Sequence, residues 1–132
     1  RTVTPEQLGE LVDFISIDVA FISLDKVLPV ATTLLKDTGS LVALIKPQFE
    51  AGKENVGKGG IVRDSNIHKE VLHRILQVAY DCGLYIHGLT FSPIKGMEGN
   101  IEFLGYFKKY EEGALTINDE LIDAVVTEAH SL

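Results

Sequence analysis

Apolar and polar positions along this chain follow two rhythms. Short, nearly continuous apolar runs, Phe14-Ile15-Ser16-Ile17 and Leu41-Val42-Ala43-Leu44-Ile45, read as buried strands. Between Ser23 and Lys36, Leu24, Val27, Leu28, Ala31, Leu34 and Leu35 instead recur at helical spacing. Pro29 is expected to kink that helix or mark its true start, and Gly39 to end it. Asp64 or Ser65 caps a second helix in which Ile67, Val71, Leu72, Ile75, Leu76, Ala79 and Cys82 form the apolar stripe, and Gly83 supplies a left-handed stop. Strands over 84–91 and 100–107, joined by a turn, form a hairpin. Asn118 caps a last helix, with Ile117 and Ile122 as its hydrophobic staple and Leu121, Val125, Val126 and Ala129 facing inward. The order strand, helix, strand, loop, helix, strand, strand, helix is that of an α/β layer architecture.

The pattern also places three charges. Asp18 and Lys46 each close a strand, and in an open α/β sheet the ligand crevice lies at the carboxyl ends of the parallel strands. Glu102 sits near the start of its run, and an antiparallel strand starts where its parallel neighbours finish. A mostly parallel sheet with an antiparallel last strand therefore brings a carboxylate, an ammonium and a second carboxylate to one rim, on strands roughly 5 Å apart where adjacent. A lysine between carboxylates can bind an anion, or be held in place while it activates a hydroxyl. At an effective dielectric of about 20, one such pair at 4 Å is worth about 4 kcal/mol, enough to fix the ammonium.

The first strand raises a question of its own. Its doubly apolar run is the mark of a central strand, yet it comes first in the chain, and a bare apolar edge is an aggregation hazard. Residues 1–132 are therefore expected to be the C-terminal part of a larger domain, or a second copy of the chain is expected to cover this edge.

Composition narrows the remaining classes. With 132 residues, 45% apolar and 23% charged, one globular domain is expected. No run approaches the roughly eighteen apolar residues a membrane span needs, and no secretory pattern opens the chain, so a cytoplasmic protein without membrane contact is expected. The net charge of −7 argues against bulk electrostatic binding of nucleic acid, but it is unevenly spread. Six basic and four acidic residues between 46 and 74 give a local +2 and leave −9 elsewhere, and six acids with no base follow Tyr110. Gly52-Lys53-Glu54-Asn55-Val56-Gly57-Lys58-Gly59 nearly spells a phosphate-binding P-loop but carries Gly59 where a hydroxyl is required, and no helix starts there. His68, His73, His87, His130 and Cys82 lack zinc-ligand spacing and read as surface or partly packed side chains, with Cys82 a small hydrophobe, so no metal is expected.

Four strings then carry a resemblance: Asp18-Val19-Ala20-Phe21-Ile22-Ser23-Leu24, Leu44-Ile45-Lys46-Pro47-Gln48-Phe49-Glu50, Gly57-Lys58-Gly59-Gly60-Ile61-Val62-Arg63-Asp64, and Ser92-Pro93-Ile94-Lys95-Gly96 with Gly99-Asn100-Ile101-Glu102-Phe103. In this order they resemble the TlyA, or haemolysin A, branch of the FtsJ-like ribosomal RNA methyltransferases. The resemblance implies the C-terminal part of a Rossmann-like fold using S-adenosylmethionine, with the ribose 2′-hydroxyl of ribosomal RNA in a ribosomal subunit as acceptor. It also implies a Lys-Asp-Lys-Glu catalytic tetrad whose last three members match Asp18, Lys46 and Glu102. Lys46 would stabilise the developing alkoxide or, if neutral, accept its proton. Asp18, Val19, Ala20 and Phe21 are implied on the cofactor side, and Lys53, Lys58, Arg63 and Lys95 as contacts to RNA phosphate. The first tetrad lysine, the Gly-rich cofactor turn and a basic RNA-binding module are expected upstream of Arg1, so this chain alone is expected to be inactive. A membrane-active haemolysin and a non-catalytic RNA-binding module are the competing readings. The first has no spanning segment or basic amphipathic helix behind it.

Overall fold

The computed structural model describes residues 10–52, 56–57, 60–93 and 99–131. In chain order the elements are β1 (Val12–Ile17), α1 (Leu24–Leu34), β2 (Leu35–Ile45), the single turn α2 (Pro47–Glu50), α3 (Ser65–Asp81), β3 (Tyr85–Phe91), β4 (Phe103–Lys108) and α4 (Asp119–His130). The sheet order is β1-β2-β4-β3, with β1 and β2 parallel and β4 antiparallel to both of its neighbours. Three strands thus run one way and the last runs against them. The crossover through α3 skips one position, and the hairpin folds β4 back into that gap beside β2.

The caps agree with the residues that supply them. Ser23 accepts from the Asp25 amide at the start of α1, Asp64 Oδ1 accepts from the Asn66 amide at 2.8 Å, and Asn118 Oδ1 from the Leu121 amide at 2.9 Å. Gly83 follows α3 with φ 91°, the left-handed stop that glycine adopts at little cost. Pro29 lies in the second turn of α1, where the one hydrogen bond it cannot donate is to the Asp25 carbonyl.

One expectation about the strands is corrected. Gly39 does not end α1, which passes directly into β2 at Leu35; Gly39 lies inside the strand. The β1–β2 register jumps from Val12↔Leu35 to Phe14↔Ser40, so β2 bulges there. A Cβ on Gly39 would stand 2.9 Å from the Asp13 carbonyl oxygen and 2.5 Å from Leu35 Cδ1, so the close approach of the two chains is what requires glycine. Among the described residues β1 is an edge strand, the bare apolar edge that its first place in the sequence raised. Only Ile17 of its six residues is buried, and Phe14 is 56% exposed.

One face of the sheet builds the core. Leu35, Leu41, Ala43 and Ile45 of β2 and Phe103 and Phe107 of β4 are fully buried and join Leu24 and Leu28 of α1, Leu72, Ile75 and Leu76 of α3, and Ile122 and Val126 of α4. Alternate positions, including Val42, Leu44 and Tyr106, face the other side and keep partial exposure. Cys82 packs at the margin of the core, where burial pushes its thiol pKa up.

His68 is the exception to the apolar interior. It belongs to the inward stripe of α3 and is fully buried, not surface or partly packed as the spacing suggested. Nε2 lies 2.9 Å from the Val62 carbonyl and must donate to it, so Nδ1 accepts from His130 Nε2 at 2.8 Å. Burial lowers the His68 pKa from 6.5, with His130 acting the same way and the Val62 carbonyl and Asp64 opposing. A depressed imidazole pKa means that the unfolded chain binds more protons near pH 6 than the folded one. His68 should therefore contribute its full stability above about pH 6.5 and lose it as pH falls below that value. Urea unfolding at pH 7.5 and 5.5 should show a drop that His68→Gln reduces; an equal drop in the variant would assign it elsewhere.

Candidate active site

The rim charges converge because of strand order. β2 lies between β1 and β4, so its terminal Lys46 stands between the terminal residues of its two neighbours. The β1–β2 register ends at Ile17↔Ala43 and the β2–β4 register at Ile45↔Phe103, so Lys46 and Glu102 oppose one another one step beyond the ladder. Continuing the pleat assigns Asp18, Lys46 and Glu102 to the sheet face opposite the helical core.

Lys46 Nζ lies 2.5 Å from Asp18 Oδ1, with the two side chains 16% and 60% exposed. A pair this open contributes at most about 1 kcal/mol to stability, well below the figure expected from Coulomb's law at low exposure. Its value is in aiming the ammonium. Glu102, 8% exposed, makes no ion pair with Lys46. Its Oε2 accepts from Gln48 Nε2 at 3.0 Å. The expected lysine between two bound carboxylates is therefore corrected to a lysine bound by one, with the second on the same rim held by an amide.

The turn after Lys46 organises the rest. Pro47 starts α2 with the φ the turn needs, and the Phe49 amide donates to the Lys46 carbonyl at 2.9 Å. Phe49 packs its ring against Phe21, centroids 4.8 Å apart. Glu50, whose side chain is 2% exposed, accepts from Ser23 Oγ at 2.6 Å, from the Leu24 amide at 2.9 Å and from Arg74 Nη2 at 3.0 Å. A carboxylate at the first turn of α1 also meets the positive end of that helix. Residues 46–50 thus grip the Asp18–Ser23 turn at three points. That turn is strained: Phe21 has φ 65°, sparsely populated for a side chain of its size, and is 83% exposed.

Asn100, 1% exposed, accepts from the Val62 amide at 3.0 Å and donates to the Gly60 carbonyl at 2.9 Å, fastening the loop before α3 to the segment leading into β4 that carries Glu102. Arg63 on this loop is exposed. Lys53, Lys58 and Lys95 lie outside the described residues, as does most of the P-loop-like stretch. Among the described residues no three His, Cys, Asp or Glu side chains form a metal-binding group.

The charge pattern points to Asp18, Lys46 and Glu102, and the resemblance adds residues 19–21, of which Ala20 and Phe21 are exposed while Val19 packs against the core. Neither assigns a role to Gln48, Glu50, Arg74 or Asn100. Glu50 carried one usable signal: an acid four residues beyond a strand end, in a chain whose next polar cap candidate, Ser23, also follows a strand end.

A sheet in which three strands run one way and one reversed strand lies between two of them is consistent with a methyltransferase fold. Residues 1–109 match the model of the FtsJ-like methyltransferases, and the chain belongs to that family. It is 47% identical to the Bacillus subtilis protein YqxC, provisionally named an rRNA methyltransferase, over 98% of this chain and 47% of the relative. It is 36% identical to the Mycobacterium tuberculosis protein named 16S/23S rRNA (cytidine-2′-O)-methyltransferase TlyA, over 95% of this chain and 46% of that one. A solved structure from Streptococcus thermophilus, provisionally named a hemolysin, superposes with a TM-score of 0.88 at 45% identity, covering 98% of this chain and 46% of that one. The chain spans about half the length of these relatives.

Proposed function

We propose that this chain is the C-terminal part of a methyltransferase domain that uses S-adenosylmethionine to methylate a ribose 2′-hydroxyl of ribosomal RNA. The observation that carries this reading is the Lys46–Asp18 ion pair on the carboxyl rim, with Glu102 opposite. The names of the relatives support the acceptor, and the four-stranded arrangement supports the class.

The residues present fit the cofactor. Asp18, Val19, Ala20 and Phe21 follow a parallel strand at its carboxyl end, and the exposed apolar ring of Phe21 suits a sulfonium's methyl better than a phosphate. S-adenosylmethionine would supply the electrophilic methyl there. Lys46 stabilises the alkoxide that develops as the hydroxyl loses its proton, Asp18 aims the ammonium, and Glu102 acts on the acceptor from the β4 side. Because a 2′-hydroxyl is a weak nucleophile at neutral pH, positioning has the largest share, about 7–11 kcal/mol, with proton management adding about 10²–10⁴ in rate. Arg63 offers a cation for RNA phosphate, a contact that positions without reading sequence.

The test is methyl transfer by the full-length protein from radiolabelled S-adenosylmethionine to ribosomal RNA, followed by digestion to nucleosides. Label in a 2′-O-methyl nucleoside is expected. Label on a base, or none, would overturn the reading. Relatives and solved structures among the matches carry hemolysin names, but among the described residues no helix is long and apolar enough to cross a membrane.

A further inference from the structure

We propose that Gln48 is a positioning residue that orients the Glu102 carboxylate for the reaction, an inference that rests on the functional reading above. The Glu102 backbone is already set by the hairpin, because its carbonyl accepts from the Ser92 amide at 2.8 Å. What the hairpin leaves undetermined is the direction of the carboxylate. That is decided by Gln48 Nε2, the one side-chain donor that reaches it among the described residues.

Three features argue that this contact serves the site and not the fold. Gln48 sits two residues after Lys46 on the turn that Pro47 initiates, so one rigid segment sets the ammonium from one end and the opposing carboxylate from the other. The amide orientation is dictated, since the flipped form would set two oxygens against each other. Finally, Gln48 Oε1 is buried and accepts no hydrogen bond from any described group. An unmet buried acceptor is a cost to folding that an apolar side chain of the same length would avoid. A glutamine here therefore weakens the fold on one side while fixing Glu102 on the other.

A double-mutant cycle in the full-length protein tests this, with kcat and KM for RNA and for S-adenosylmethionine measured beside thermal unfolding. Gln48→Met is expected to lower kcat ten- to a hundredfold, as a misdirected reacting group does, with both KM values within twofold of wild type. In a Glu102→Gln background the same change should cost no more than a further twofold, because Gln48 acts through the carboxylate. Gln48→Asn, which keeps the polarity and withdraws the donor by one methylene, should lower kcat similarly and covers the case in which the methionine variant fails to fold. Equal losses from Gln48→Met in both backgrounds would overturn the proposal. So would wild-type kcat in both Gln48 variants while Glu102→Gln is impaired. If Glu102→Gln alone turns over normally, the role of Glu102 falls, and the positioning role with it.

Discussion

Replacing Lys46 by alanine in the full-length protein is expected to lower methyl transfer by at least about 10³-fold, the combined scale of losing an oxyanion-type stabiliser and a proton-handling group. Affinity for S-adenosylmethionine should stay within a few-fold, because the cofactor-side turn is also gripped by Phe49 and Glu50. Lys46→Arg should not restore turnover: a planar guanidinium cannot replace a compact ammonium 2.5 Å from Asp18 on a mostly buried stem. Single-turnover methylation with saturating cofactor separates chemistry from binding. Turnover within tenfold of wild type in the alanine variant would remove Lys46 from the mechanism and leave the rim without its central group.

Glu50→Ala is expected to give the second largest effect, this time on stability. Its carboxylate serves Ser23 Oγ, the first-turn amide of Leu24 and the guanidinium of Arg74, and truncation leaves all three without that acceptor. Removing one partner of a buried polar contact costs about 1–3 kcal/mol. Arg74 is 40% exposed and can turn to water, so a loss near 2–3 kcal/mol is expected rather than the larger figure for a fully buried pair. On a domain of this size that is a melting-point drop of roughly 10 °C. Glu50→Gln keeps one accepting oxygen but sets an NH2 group against the donors of the other, so it should lose stability too, by less than the alanine variant. A drop below about 2 °C for the alanine variant, by calorimetry of the full-length protein, would show that the Asp18–Ser23 turn is held by other means.

Much of this was legible before any coordinates. Helical spacing identified α3 and α4, and Asp64 and Asn118 announced their starts, because caps and periodicity are local and the chain carries them within a few residues. His68 could have been read as buried from the same periodicity, since it shares the stripe with Leu72, Ile75 and Ala79. Its partner His130, 62 residues away, could not. The end of α1 is not legible in the sequence because Gly39 answers a demand from another strand, the passing Asp13 carbonyl, and glycine looks the same whether it stops a helix or admits a neighbour. The apolar run of β1 records what the strand could bury, not what covers it.

For the site, the order of residues already says which charged side chains close which apolar runs, and so that Asp18, Lys46 and Glu102 belong at strand ends. Side-chain alternation and the place of a charge in its own run are properties of a single stretch of chain, so they need no knowledge of the rest. The pairing comes from how the strands and turns pack together. That packing set β4 rather than β3 beside β2, gave Lys46 to Asp18 alone, turned Glu102 toward Gln48, and sent Glu50 inward to hold the neighbouring turn. Those choices depend on which elements share space, and hydrogen bonds spanning 24 to 54 residues leave no local trace in the pattern that makes them.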